Sequence, residues 1–265
     1  MASTPFATKQ QLTQLLGDDD FFLWEYYGEG VLGSIQGWVF RSRVKAIRRV
    51  LGQMHLKPMT MLDVGCGPMF TNWPLIGHSS EYFGVDIMPT WRLKKYKNVM
   101  KKMGIAKIEV IRASAESLPF RDDFFDFVLS LDVLEHLNKP KEAIMEISRV
   151  ANDCALAAIS LPLENSFQKL SRLGFILMNV REITRISFVR ETKEAPTIQR
   201  SKYHCVGAPI HQTPKYHYGG AVKSYCEMLE ILTDVFKSLV RKYTPIGGPK
   251  SININAVHIF QNLKR

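Results

Sequence analysis

The chain has 265 residues, 46% of them hydrophobic, with a formal net charge of +10. That is enough for one large domain, or one domain with a substantial insertion, around a full core. No apolar run approaches the roughly eighteen residues that a helix across a bilayer requires, which excludes such a helix. Residues 1–6 lack the charged and then apolar pattern of a signal peptide. The four cysteines, Cys66, Cys154, Cys205 and Cys226, have no metal-like pairing, and read as reduced core thiols in a cytosol, with Cys154 opening a buried strand. The basic excess fits a nucleic acid, an anionic membrane surface or acidic small molecules, and equally a plain solvated surface.

Residues 6–20 read as a short, polar-leaning helix. The aromatic stretch Phe21-Phe22-Leu23-Trp24-Glu25-Tyr26-Tyr27 follows, placed either to pack that helix onto the domain or to line a pocket. Residues 34–51 predict a helix, with Ile35, Trp38, Val39, Ala46, Ile47 and Val50 inward. Arg41, Arg43, Lys45, Arg48 and Arg49 fall mostly on its remaining, charged face. Residues 59–67, an apolar run ending in Asp63, Gly65 and Gly67, suit a strand buried on both faces and a tight turn. Pro68 to Gly77 contains Trp73 and Pro74, which predict a short or distorted helix. A second apolar run, residues 82–86, closes on Asp86.

Further on, residues 89–103 predict a basic helix, 106–112 a third strand, 126–130 a fourth and 139–151 a helix with Ala143, Ile144, Ile147 and Val150 inward. Residues 154–161 form a continuous apolar strand stopped by Pro162. Strands alternating with helices at this spacing indicate a parallel α/β sheet. Residues 163–218 depart from that rhythm, with nine Lys or Arg against four acids. They include a basic amphipathic helix that suits either packing at the sheet's end or a membrane surface. Residues 219–232 return to helix, and 236–243 and 252–260 to strands.

An acid at the end of a second parallel strand, beside a glycine turn after the first, is where nucleoside-binding sheets hold a ribose diol. Phe70 stands where a dinucleotide fingerprint needs its third glycine. With the block from Ala115 to Leu137 added, residues 59–162 closely resemble the class I S-adenosylmethionine-dependent methyltransferases. Their nearest group is the small-molecule type 11 branch, which includes quinone-biosynthesis enzymes. The resemblance implies a Rossmann-like, mostly parallel sheet of seven strands with helices on both faces. It divides the chain into an N-terminal helical cap or lid (1–55), a cofactor-binding core (56–162), an insertion after strand five serving as substrate lid (163–218) and the C-terminal part of the core (219–265).

The same resemblance implies S-adenosyl-L-methionine as cofactor, with S-adenosyl-L-homocysteine as product. Asp63, Gly65 and Gly67 would surround the methionine moiety and Asp86 the ribose. Ile87 would lie against adenine, Ser114, Ala115 and Glu116 would meet the adenine edge, and Ser130 and Leu131 would offer backbone to the methionine amino group. Two positions depart from the family pattern: Met69 stands for its third glycine and Ser114 for an Asp, so a charged acceptor is lost at adenine. His217 and His136 are the candidate bases, with Tyr26 and Tyr27 at the pocket; no metal is expected. The expected reaction is methyl transfer to a small, lipophilic or aromatic metabolite in the cytoplasm, with peripheral membrane contact through the basic insertion left open. An RNA or protein methyltransferase and a scaffold that binds the cofactor without turnover are the alternatives. Nucleic acid is the less favoured partner, because Ser130-Leu131-Asp132-Val133 lacks the Asn/Asp-Pro-Pro-Tyr pattern of amino-directed nucleic-acid enzymes.

Overall fold

The computed structural model describes residues 6–17, 20, 23, 27, 30–55, 58, 60–70, 72–77, 79–105, 107–163, 224–244 and 255–262. The first helix, α1 (Lys9–Leu16), begins at a capping box: the Thr8 side chain accepts from the Gln11 amide while the Gln11 side chain accepts from the Thr8 amide. It ends at Gly17, whose φ of 85° stops the helix. The long helix α2 (Gly30–Gln53) buries Val39, Val44, Ile47, Val50 and Leu51. Trp38, expected inward, is exposed.

Seven strands follow: β1 (Thr60–Val64), β2 (Glu81–Asp86), β3 (Ile108–Arg112), β4 (Phe125–Leu131), β5 (Ala151–Pro162), β6 (Phe236–Thr244) and β7 (Asn255–Asn262). They form one sheet in the order β3-β2-β1-β4-β5-β7-β6. The pairs among β1 to β5 are parallel, and β7 runs antiparallel to both β5 and β6. The expected seven-stranded, mostly parallel sheet with helices on both faces is therefore present. The connecting helices are α3 (Trp73–Ile76), α4 (Thr90–Lys102), α5 (Pro140–Val150) and α6 (Tyr225–Val235). At four residues, α3 is as short as Trp73 and Pro74 predict.

Each sheet face has its own core. One gathers Val44, Ile47 and Val50 of α2 and Leu93, Tyr96 and Val99 of α4 onto Met61, Tyr82, Phe127, Leu129, Ala158 and Ile259. The other gathers Ile144, Ile147 and Val150 of α5 and Met228 and Leu232 of α6 onto Leu62, Val64, Val85, Val128, Ala157, Ile159 and Phe260. On α5, Ala143, Ile144, Ile147 and Val150 are all fully buried on one stripe. At about 1.5–3 kcal/mol per buried large aliphatic side chain, that stripe contributes more than the helix's intrinsic propensity can.

β5 differs from its sequence reading at both ends. It begins three residues earlier and runs through Pro162, which stands in register with Asn255. Phe125 pairs with Ala151 but Phe127 with Leu156, so β5 carries three extra residues there. Cys154 falls in that irregularity with φ 66° and is exposed, not buried; Cys226 is exposed as well. The irregularity is held from β7, where the Asn262 side-chain amide donates to the carbonyls of Ser148, Ala151 and Asn152 at 3.0, 3.1 and 3.2 Å.

His258 lies fully buried on β7, stacked on Phe260, with the Tyr225 hydroxyl 3.0 Å from Nε2. Burial, aided by the positive charge of Arg241, pulls its pKa down to about 3. The folded chain therefore refuses a proton that the unfolded chain takes below about pH 6.5, and stability falls as pH drops through that range. A His258→Gln variant should lose about 2 kcal/mol less stability than wild type between pH 7 and pH 5, measured by urea unfolding at each pH.

Candidate active site

Strand order reverses between β1 and β4, and open α/β sheets bind ligands outside the carboxyl ends of the strands at such a switch point. Four segments meet there. After β1 the backbone turns through Gly65 (φ 72°) and Gly67 (φ 50°). The amides of Gly65 and Cys66 both donate to the Val85 carbonyl, at 2.7 and 3.0 Å. The two glycines serve different needs. A Cβ on Gly65 would lie 2.3 Å from Val133 Cγ2, whereas one on Gly67 would meet nothing within 4 Å. Gly65 is required by packing, and Gly67 leaves an open floor that a ligand can approach.

Asp86, ending β2, is aimed by two backbone donors: Gly67 N–H to Oδ2 and Met88 N–H to Oδ1, both 2.9 Å. The next residue, Ile87, is 68% exposed, a large apolar side chain left uncovered directly after the carboxylate. After β3 the Ala113 amide donates to the Asp86 carbonyl and Ser114 Oγ accepts from the Glu116 amide. Ala115 is buried, and a Glu116 carboxylate oxygen accepts from the Lys139 amide at 3.1 Å. Arg149 staples the following loop. It donates to the carbonyls of Leu118 and Phe120 and to the carboxylates of Asp122 and Glu146. At the end of β4, Ser130 is fully buried and Leu131 is half-buried. Asp63, Gly65, Gly67, Asp86, Ile87, Ser114, Ala115, Glu116, Ser130 and Leu131 all stand at or next to these strand ends.

Asp63 is the member set back from the opening. Its carboxylate is fully buried and accepts from the Tyr82 hydroxyl at 2.7 Å and the Asn72 amide at 2.8 Å, both on Oδ2. Burial raises its pKa to about 6 against the pull of those two donors. Sequence reasoning gave Asp63 to the ligand and did not find Tyr82 and Asn72, which anchor it. Met69, in the family's third glycine position, has φ 64° and is fully buried.

Among the candidate bases, His136 sits exposed on a single 3₁₀ turn, Leu134–His136, after β4. Tyr27 is half-buried against Phe70, with the Arg41 guanidinium 5.7 Å above its ring. Burial pushes its pKa up to about 12, so the phenol is a hydrogen-bond donor rather than a base at neutral pH. Tyr26 and His217 lie outside the described residues.

The largest departure from the sequence reading is Arg43. It is buried, not part of a charged outer face, and its guanidinium pairs with Asp132 just beyond β4. One signal was available: Arg43 stands four residues from both Val39 and Ile47, on the buried stripe. Asp20, buried and bonded to Lys95 (2.8 Å) and the Tyr96 hydroxyl (3.2 Å), similarly ties the N-terminal segment to α4.

Two substitutions test this description. With its folded pKa raised, Asp63 contributes stability below about pH 4 that is lost as pH rises through about 6. Asp63→Asn, which keeps an acceptor for Tyr82 and Asn72, should therefore gain stability relative to wild type as pH rises from about 4 to about 7 in thermal melts. Truncating buried Met69 costs packing, about 2–5 kcal/mol. Glycine recovers the roughly 1–2 kcal/mol that left-handed backbone costs alanine. Both variants should be less stable than wild type, with Met69→Gly about 1 kcal/mol better than Met69→Ala in chemical unfolding.

Residues 62–158 match the family model described as "Methyltransferase domain" of the type 11 group. A tRNA U34 carboxymethyltransferase of Hahella chejuensis is 31% identical over 115 residues, covering 41% of this chain and 35% of that protein. Norajmaline N-methyltransferase of Rauvolfia serpentina is 30% identical over 140 residues, covering 48% and 45%. The chain thus spans less than half the length of these curated relatives. In structure it is similar to the N-methyltransferase NodS from Bradyrhizobium japonicum WM9 in complex with S-adenosyl-L-homocysteine. The TM-score is 0.56 at 13% identity, over 97% of this chain and 98% of that one. A SAM-dependent methyltransferase from Aquifex aeolicus gives 0.53 at 17% identity, over 89% and 100%. Residues 62–158 of this chain are thus similar to the type 11 methyltransferase domain, and the sheet that carries them has the Rossmann-like fold of the methyltransferase structures.

Proposed function

We propose that this chain is an S-adenosylmethionine-dependent methyltransferase whose acceptor is a small lipophilic or aromatic molecule. One observation carries the donor half of that reading. Asp86 is held by two backbone amides at the end of β2, beside a Gly67 floor with no atom in the way and an exposed Ile87. These residues fit a nucleoside: Asp86 for the ribose hydroxyls, Ile87 for one face of adenine, and the 114–116 turn for its edge. The glycine turn and the end of β4 would hold the amino-acid end of the cofactor. The match to the methyltransferase family model and the likeness to a structure holding S-adenosylhomocysteine support the same assignment.

The bound cofactor supplies a methyl group already activated on a sulfonium. The protein's task is to align donor and acceptor and to keep water out. A base is needed only where the acceptor atom carries a proton. Exposed His136 is the candidate to take one, while Tyr27, protonated at neutral pH, can orient an acceptor but not deprotonate it. The lipophilic reading rests on the aromatic segment 21–27 and the apolar, basic stretch 163–218. The sequence resemblance assigns His217 to the acceptor as well.

An RNA acceptor is the second reading, favoured by the net charge of +10 and by the tRNA-modifying relative. That similarity, however, covers only 41% of this chain and 35% of that protein. Calorimetry with S-adenosylhomocysteine tests the donor assignment. Wild type should bind, and Asp86→Ala should weaken binding at least tenfold while leaving the thermal midpoint within a few degrees. Loss of two charge-assisted hydrogen bonds to the ribose supports that size. No binding by wild type would refute the assignment. Labelled methyl transfer to hydrophobic amines and phenols, set against bulk tRNA, then decides the acceptor class.

A further inference from the structure

We propose that Arg43, a residue of the N-terminal helix α2, is a positioning residue for the donor site, acting by clamping the left-handed turn at Asp132. This rests on the methyl-donor reading above. Asp132 has φ 56°, a conformation that a non-glycine residue holds only when its surroundings over-determine it. Three contacts do so. The Asp132 amide donates to Ser160 Oγ at 3.0 Å, and the Ser160 hydroxyl donates back to Asp132 Oδ1 at 2.7 Å. The Arg43 guanidinium closes the other side, pairing with Asp132 Oδ2 and lying 3.4 Å from Ser160 Oγ. Arg43 is buried, reaches 89 residues along the chain to make this pair, and also stacks over the Phe40 ring at 4.4 Å.

The turn matters because Val133, the residue after it, walls the glycine turn. Val133 packs against Gly65 so closely that a Cβ there would overlap it. Gly65 and Cys66 are in turn bonded to Val85, and the Gly67 amide aims Asp86. A continuous set of contacts therefore runs from α2 through Asp132, Val133 and the glycine turn to the carboxylate assigned to the ribose. If the turn at Asp132 relaxes out of the left-handed region, Val133 shifts and the glycine turn loses the wall that defines it. Arg43 touches no reacting atom in this scheme. It fixes the backbone from which the donor site is built.

The test removes the ion pair in two ways that differ only in backbone preference at position 132. Arg43→Met combined with Asp132→Gly leaves neither charge unpaired and lets glycine keep the left-handed turn without a clamp. Arg43→Met combined with Asp132→Ala also removes both charges but penalises the turn. Two readouts apply: affinity for S-adenosylhomocysteine by calorimetry, and amide hydrogen exchange at Gly65 and Cys66 in the free protein. The alanine pair should bind about tenfold more weakly than the glycine pair and exchange faster at both amides, while the glycine pair stays within about threefold of wild type. Equal affinity and equal exchange in the two double variants would overturn the clamp while leaving the donor reading intact. A wild-type chain that binds no S-adenosylhomocysteine would sink the donor reading and the clamp together.

Discussion

The near-contact between Gly65 and Val133 sets the geometry of the candidate site. Two strand ends, β1 and β4, must diverge at the switch point to open a cleft, yet they must stay packed or the cleft floor has no wall. Val133 supplies the wall and Gly65 the absence of a side chain that lets it come close. A second close approach reinforces the first: a Cβ on Gly84 of β2 would fall 2.8 Å from Cys66 Sγ. The turn after β1 is thus wedged between β4 on one side and β2 on the other. Its amides then have one place to go, the Val85 carbonyl and the Asp86 carboxylate. The carboxylate's aim comes from backbone packing rather than from a flexible side-chain contact, which is the kind of preorganisation a binding site needs.

Burial and hydrogen bonding divide the work differently on the two sides of that cleft. The apolar stripes of α2, α4, α5 and α6 supply most of the stabilisation, because each buries several large side chains on a sheet covered on both faces. The polar pins contribute about 1 kcal/mol per hydrogen bond, but they decide where irregular segments lie. Arg149 holds the loop after Ala115 by two carbonyls and the Asp122 carboxylate. Asn262 holds the extra residues of β5 by three carbonyls. Asp126 takes the Thr60 amide and the Asn152 side chain at the opposite end of β4. Each pin replaces a run of backbone pairing that the sheet itself does not provide there.

That division explains what the sequence made legible. The strands of the parallel core and α5 were readable because burial on both faces writes a continuous apolar run, and burial on one face a stripe at the helical period. Gly65, Gly67 and Asp86 were readable because a turn and a ligand restrict residue type locally. Arg43 was not, since four other basic residues surround it between positions 41 and 49 and its partners, Asp132 and Ser160, lie 89 and 117 residues away. Periodicity records which residues avoid water, not which charge finds which. Cys154 was misplaced for a related reason. An apolar-looking strand start conceals a three-residue irregularity, whose stabilising partner, Asn262, stands near the other end of the chain.

The distribution of similarity among relatives has the same physical origin. The family match ends at residue 158, and the tRNA carboxymethyltransferase and the norajmaline N-methyltransferase align over less than half of this chain. On the proposed reading, one cofactor fixes the donor side of this chain, so the residues that aim Asp86 and open the Gly67 floor answer a single requirement. Acceptors differ in size, charge and attacking atom, and alignment with water exclusion asks for shape rather than for a fixed catalytic group. If residues 1–55 form a cap, as the sequence resemblance implies, that cap belongs to both requirements at once. Its segment 21–27 is assigned to the variable one, whereas Arg43 is tied to the constant one through Asp132. A cap anchored in the donor site by a buried ion pair can change its acceptor-facing residues without loosening the donor's floor, since the anchor and the variable surface belong to different stretches of the chain.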